Sequence, residues 1–160
     1  MKFKCFCGNV INATVQFCKG VCDLHSESSY ILWIKDFFEM ISAKEYIEGP
    51  KSVEAFFCEE CNRYSVLING STYAFKLCPD EIMPSGECEA YHLMDEFEKD
   101  AILTELDDPQ KRDEIIKSDF NSLPKTRMMN ISFTEKKAYI ENLDGSIETY
   151  ILDHVHVIKR

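Results

Sequence analysis

Cysteine is the residue type with the most chemistry to offer in this chain. Four of the eight cysteines fall into two close pairs, Cys5-Phe6-Cys7-Gly8 and Cys58-Glu59-Glu60-Cys61-Asn62. Four thiolates at about 2.3 Å complete the tetrahedral shell of a zinc ion. Short loops between strands suit that shell, because the turning backbone points two sulfurs inward and aims amide N–H groups at them. The residue after the second cysteine of such a pair often adopts a left-handed conformation, and Gly8 and Asn62 are the two residue types that enter it at least cost. Cys5, Cys7, Cys58 and Cys61 are therefore read as the two halves of one zinc site. The sharper rival is a redox dithiol at Cys58-x-x-Cys61, which needs a low-pKa thiol at a helix N-terminus. The residues that follow, Arg63-Tyr64-Ser65-Val66-Leu67-Ile68, read as strand instead.

Other clusters say less. Cys18, Cys22 and His25 form a Cys-x3-Cys-x2-His group that would need Cys78 or Cys88 as a fourth ligand. Cys18 and Cys22 are also spaced to share one face of a helical turn, where free cysteines simply pack. Cys78 and Cys88 flank a loop containing Pro79 and Pro84 and read as buried or half-buried thiols. His154 and His156 alternate along a strand and so point to one face, yet no third ligand can be named for them. No Gly-x-Ser-x-Gly elbow, phosphate-cradling Gly-rich loop or His-Glu-x-x-His occurs. The carboxylates between Glu87 and Asp119 are too many and too evenly spread to single out an acid/base pair.

The 160 residues suggest one domain, 1–160, with enough apolar material (45% hydrophobic, 12% aromatic) for a packed core. Eighteen Lys and Arg against 28 Asp and Glu leave a net charge of -10. That balance disfavours nucleic acid, whose binding rests on neutralising phosphates, and favours a basic protein as partner. The longest apolar run, Tyr30 to Ile34, stops at Lys35, so no membrane helix is expected. The start, Met1-Lys2-Phe3-Lys4, is followed by Cys5, Cys7, Gly8, Asn9 and Asn12 rather than by an apolar signal region. A cytoplasmic location is expected, where reduced thiols persist and the sequons at Asn12, Asn69 and Asn130 carry no meaning.

The elements that would position these residues alternate between short strands and two helical regions. Residues 2–13 read as two strands around a turn at Cys7-Gly8-Asn9, with a less regular segment through Cys18, Cys22 and His25. Tyr30, Trp33, Ile34, Phe37, Phe38 and Ile41 recur at helical spacing, which predicts a helix at least over 36–45, broken by Gly49-Pro50. Ser52 to Phe57 reads as a strand. Arg63 to Leu77 reads as a hairpin turning at Asn69-Gly70. Ser85 is placed as the cap of a helix with Ala90, Met94, Phe97 and Ala101 on one face, and Pro109 as the start of another. A β-meander over 127–159 follows, with a turn at Asp144-Gly145. The fold class expected is α+β: antiparallel hairpins, two helical regions and a split zinc-ribbon-like site. Its parts are a ribbon-like portion (1–13 plus 52–77), an acidic helical portion (85–120) and the meander.

The stretches KFKCFCGNVI and FFCEECNRYSVLING resemble those of small uncharacterised bacterial zinc-ribbon-like proteins, which pair a Cys-x-Cys-Gly start with a later Cys-Pro-x-Cys-Gly-Arg knuckle and hairpin. The resemblance covers about a third of the chain. Here Glu59 stands for the proline and Asn62 for the glycine, and 50 residues separate Cys7 from Cys58. The resemblance implies zinc binding and an α+β fold, and no activity. The function expected is that of a non-catalytic protein with structural zinc, binding a basic partner through its acidic helical surface. The alternative is a thiol or metal enzyme using Cys58 and Cys61, or His154 and His156.

Overall fold

A computed structural model of the chain describes residues 1–14, 18–46, 49 and 51–157. The first two strands, β1 (Lys2–Lys4) and β2 (Val10–Asn12), form a separate antiparallel hairpin. The remaining eight strands close into an antiparallel barrel: β3 (Val21–Ser26), β4 (Val53–Cys58), β5 (Arg63–Ile68), β6 (Ser71–Leu77), β7 (Glu89–Asp95), β8 (Arg127–Ser132), β9 (Lys137–Glu141) and β10 (Ile147–Val157). Two meanders, β3 to β6 and β7 to β10, are zipped together where β3 pairs with β7 and β6 pairs with β10. Each meander has its helical insertion between its first and second strands. In the first it is α1 (Glu27–Ala43); in the second it is α2 (Glu96–Leu106), α3 (Pro109–Lys117) and a single 3-10 turn at Phe120–Ser122. No described helix is long and apolar enough to cross a membrane.

Alternation sorts the side chains. Along β3, Cys22 and Leu24 point into the barrel with Val66, Phe75, Leu93, Met129 and Ile140. The outer wall of β3 and β7 is covered by the helices, where Tyr30, Trp33 and Ile34 of α1 meet Met94 of β7 and Ile102 and Leu106 of α2. The apolar stripe of α1 is the one read from its spacing, but the helix begins earlier. Ser26 caps it at Ser29 N, and Lys44 ends it in a left-handed conformation. Glu27 in its first turn reaches the His92 ring, whose other nitrogen meets Thr126 Oγ1 at 2.5 Å.

The α+β expectation is overturned by the closed eight-stranded barrel, and the ribbon-like portion with it, because β4, β5 and β6 are barrel staves. Closure rests on strand pairs far apart in the chain, which no local pattern reports. The helix expected after Ser85 is also corrected: Glu89–Asp95 is a strand, with Tyr91 and Leu93 in the barrel and His92 and Met94 under the helices. Buried on both faces, it shows no polar alternation. The helix starts one strand later, at a capping box in which Asp95 accepts from Glu98 N and Glu98 accepts from Asp95 N, both at 2.8 Å. The Cys18 to His25 segment is a turn leading into β3, not a helical turn. The 63–77 hairpin and the meander stand as read, the latter described to Val157; Ile158 and Pro50 lie outside the described residues.

Gly20 is fixed by close approach. Its φ is +85°, and a Cβ there would sit 2.4 Å from the Phe57 carbonyl oxygen, while the Phe57 N–H donates to the Gly20 carbonyl at 2.6 Å. Gly20→Ala is expected to cost about 2 to 4 kcal/mol, combining left-handed strain with a backbone clash. Thermal unfolding should shift down by about 4 to 16 °C at this chain length; an unchanged midpoint would refute the assignment.

Candidate metal centre

The N-terminal hairpin turns through Cys5 to Asn9, closed by Cys5 N–H to the Asn9 carbonyl (2.8 Å) and Gly8 N–H to the Cys5 carbonyl (2.9 Å). Gly8 has φ +97°. The second pair lies where β4 turns into β5: Cys58 ends β4, the Cys61 N–H donates to the Cys58 carbonyl at 3.3 Å, and Asn62 at φ +50° starts the chain back. Both left-handed positions are those read from the sequence.

The two turns face each other. All four sulfurs, of Cys5, Cys7, Cys58 and Cys61, lie within 4.8 Å of one another. The shortest contacts cross between the turns, Cys5 to Cys61 at 3.5 Å and Cys7 to Cys58 at 3.6 Å. A disulfide would bring sulfurs to about 2.05 Å, whereas a tetrahedron of bonds about 2.3 Å long has edges near 3.8 Å. The cluster thus has the size of a four-thiolate shell around one ion, which would tie the hairpin to the barrel. Cys5 and Cys58 are buried, Cys61 is half-buried and Cys7 is exposed.

The surroundings prepare the thiols unequally. Burial pushes Cys5 up to about 12, with the neighbouring thiols adding to it. Burial acts the same way on Cys58, but hydrogen bonds from Asn9, Cys61, Cys7 and Cys5 outweigh it and bring that thiol down to about 7. Asn9 Nδ2 donates to Cys58 Sγ at 3.5 Å. Burial raises Cys61 against a hydrogen bond from Arg63. A metal ion would replace the shared protons and make four thiolates of the set. Arg63 is held in turn by Asp153 of β10, through Nε at 2.7 Å and through Nη2.

Phe3 stacks on Phe56 with ring centroids 4.3 Å apart, so the hairpin also has an apolar seat on β4. Phe6, between the two hairpin thiols, stacks on His154 at 4.7 Å. His154 thus lies beside the centre as packing, while His156 pairs across to Thr72 and remains exposed. Cys18, Cys22 and His25 do not converge, because Cys22 faces the barrel interior and His25 the helices. Cys78 and Cys88 are half-buried at the two ends of the β6–β7 connection. Among the described residues no second group of three or more ligating side chains is close enough to hold an ion. Asn9, Arg63 and Asp153 escaped the sequence reading, which weighs His154 only as a chelator paired with His156. Asn9 stands two residues from Cys7 and could have been found there, but the other two depend on β10 lying beside β6. Protein-family models, curated proteins and solved structures contain no match to the chain.

Proposed function

We propose that Cys5, Cys7, Cys58 and Cys61 hold one structural zinc ion, and that the protein works without catalysis, by binding a basic protein through the acidic surface of its helical side. The observation that carries the metal reading is the mutual approach of four sulfurs from two separate turns. An all-sulfur tetrahedral set selects zinc or iron–sulfur chemistry over harder ions, and a cluster of several irons would spread its cysteines beyond the 4.8 Å found here. Four thiolates leave no open position for water or substrate, which supports a structural role. The enzyme alternative has less support: β5, not a helix, follows Cys61, and His154 is engaged by Phe6. A reducing compartment such as the cytoplasm suits a chain that keeps Cys5, Cys7, Cys58 and Cys61 as thiols. Metal analysis of the purified protein, with X-ray absorption to identify the ligands, tests the reading. Close to one zinc per chain in an all-sulfur shell is expected, and iron or a nitrogen-containing shell would overturn it.

The partner surface has to be drawn without Glu98, whose carboxylate caps α2 and grips Arg127 at 2.6 and 2.7 Å. Asp100, Asp107 and Asp113 are exposed on the same helical insertion. Reversing these three to lysine is expected to weaken capture of a polycationic peptide by about tenfold at low salt and to leave zinc content unchanged. Equal capture by the variant and the parent protein, measured by surface plasmon resonance, would exclude this face. Binding of nucleic acid at physiological salt is expected to be negligible for a chain of net charge -10.

A further inference from the structure

The last strand outruns one of its neighbours. β9 pairs with β10 only as far as Ile151, whereas β6 pairs with it to Val157. Residues 154–157 are exposed and form a free sheet edge. The hydrogen bonds around this edge decide which groups it presents. Cys78 N–H donates to the Thr149 carbonyl and Leu77 N–H to the Asn62 carbonyl, so even positions of β6 turn to β10 and odd ones to β5. Ala74 and Thr72 therefore bond His154 and His156, their partners in register. Leu152, whose N–H donates to the Lys136 carbonyl at 2.8 Å, faces the other way. The bulge between Leu152 and His154 shifts the alternation by one residue. It leaves the N–H and C=O of Val155 and Val157 pointing away from β6, and no strand among the described residues pairs with them.

Sheet edges are usually guarded by a lysine, a proline or a bulge. Here the bulge lies before the overhang, and positions 154–157 read His-Val-His-Val, with no Asp, Glu, Lys, Arg or Pro. Asp153 is already bound to Arg63. Val155 and Val157 are 50% and 60% exposed. Val155 lies opposite Tyr73, which meets the Phe133 ring edge-on, so the valines extend an apolar face at the mouth of the barrel. The edge is also where two acidic chains can approach. The β6–β10 seam stands across the barrel from the β3–β7 seam, the wall that the helices cover. Residues 27–43 and 96–119 of that helical side carry twelve carboxylates against five basic side chains, most of the net charge of -10. Contact through β10 turns both of these surfaces outward.

We propose that the β10 overhang pairs antiparallel with the overhang of a second copy of this chain, joining two barrels about a two-fold axis at His156. In that register Val155 of each copy lies opposite Val157 of the other, each pair exchanges both of its backbone hydrogen bonds, and the exposed valines meet on one face. The pair goes beyond the binding role of a single copy, because it offers a basic partner two acidic surfaces at once.

Sedimentation velocity of the full-length protein from about 1 µM to about 1 mM, a range that spans weak interfaces, reads the pairing. The average mass is expected to rise from one chain toward two. Hydrogen exchange reads the register: the Val155 and Val157 amides should slow by about tenfold or more at the high concentration, whereas those of His154 and His156, bonded to β6, should exchange alike at both. Val155→Pro removes an N–H that faces away from β6, so it should leave the thermal midpoint in place and weaken pairing by about tenfold or more. Val155→Lys keeps the N–H and the fold, guards the edge with a charge, and should weaken pairing likewise. Val155→Thr should stay within about threefold of the parent. The proposal is overturned by a chain that remains monomeric throughout, by dimers that Val155→Pro and Val155→Lys leave intact, or by Val155 and Val157 amides already protected in the dilute monomer. The last result would mean that the chain covers this edge itself.

Discussion

Cys61→Ser is expected to leave the purified protein without stoichiometric zinc and to lower its thermal unfolding midpoint by about 6 to 20 °C, as is stripping the parent protein with a chelator. The metal loss follows from geometry: the shortest sulfur contacts run Cys5 to Cys61 and Cys7 to Cys58, so deleting either barrel ligand breaks the bridge to the hairpin. A structural zinc in a small peptide contributes on the order of 10 kcal/mol or more, and there it is the whole of the folding energy. Here the barrel has its own core of Leu24, Phe75, Leu93 and Ile140, so only the part of that energy spent on seating the hairpin is lost on metal removal. About 3 to 5 kcal/mol is a fair expectation, and at 2 to 4 °C per kcal/mol it gives the stated shift. Cys78→Ser and Cys88→Ser, whose sulfurs lie outside the cluster, should retain the ion. Full zinc retention in Cys61→Ser, read by mass spectrometry, would sink the four-thiolate assignment.

Phe56→Ala is expected to cost about 3 to 5 kcal/mol, and it reports on the hairpin's second attachment. Phe56 is fully buried and lies outside the barrel, where it packs with Cys5, Ile11 and Cys58. Its ring is parallel to that of Phe3 within 1°. Removing it leaves a cavity directly beneath the Cys5 to Asn9 turn, yet takes away none of the four clustered thiols. Zinc content should therefore stay near one per chain while zinc affinity falls and amide exchange in residues 2–12 speeds up. A variant that exchanges and melts like the parent would show that the ion alone seats the hairpin.

The thiol cluster was legible because its evidence is local: two cysteines a few residues apart, each pair followed by Gly8 or Asn62, describe two turns wherever the chain goes afterwards. The same is true of Asn69-Gly70, with Tyr64 and Val66 alternating before it and Phe75 after. Where the physics is non-local the reading failed. Residues 89–95 present apolar groups to both the barrel and the helices, and with no polar face their period could be taken for a helix. Glu98 looked like one more solvated carboxylate, but it completes the capping box and binds Arg127 across 29 residues. His25 was weighed only as a companion of Cys22. Strand alternation sends the two to opposite faces, Cys22 into the barrel and His25 against Trp33 of α1.

The two meanders are related in a way that bears on why the cysteines of the β4–β5 turn stand where they do. Each runs strand, helical insertion, then three strands. The caps Ser26 and Asp95 are 69 positions apart, as are Leu24 and Leu93, which pair directly with each other in the β3–β7 seam. The barrel is thus pseudo-symmetric about a two-fold axis through that pair, each half meeting the other through equivalent strands, as in a symmetric dimer interface. The axis also carries the β4–β5 turn onto the β8–β9 turn. In both, four residues connect the strands and the last is left-handed, Asn62 in one and Lys136 in the other. The second turn has no cysteine: Ser132 and Glu135 stand where Cys58 and Cys61 do. A knuckle of this shape therefore forms without thiolates, and the symmetry-breaking pair of cysteines is the one that faces the extra hairpin, which only one half of the molecule carries.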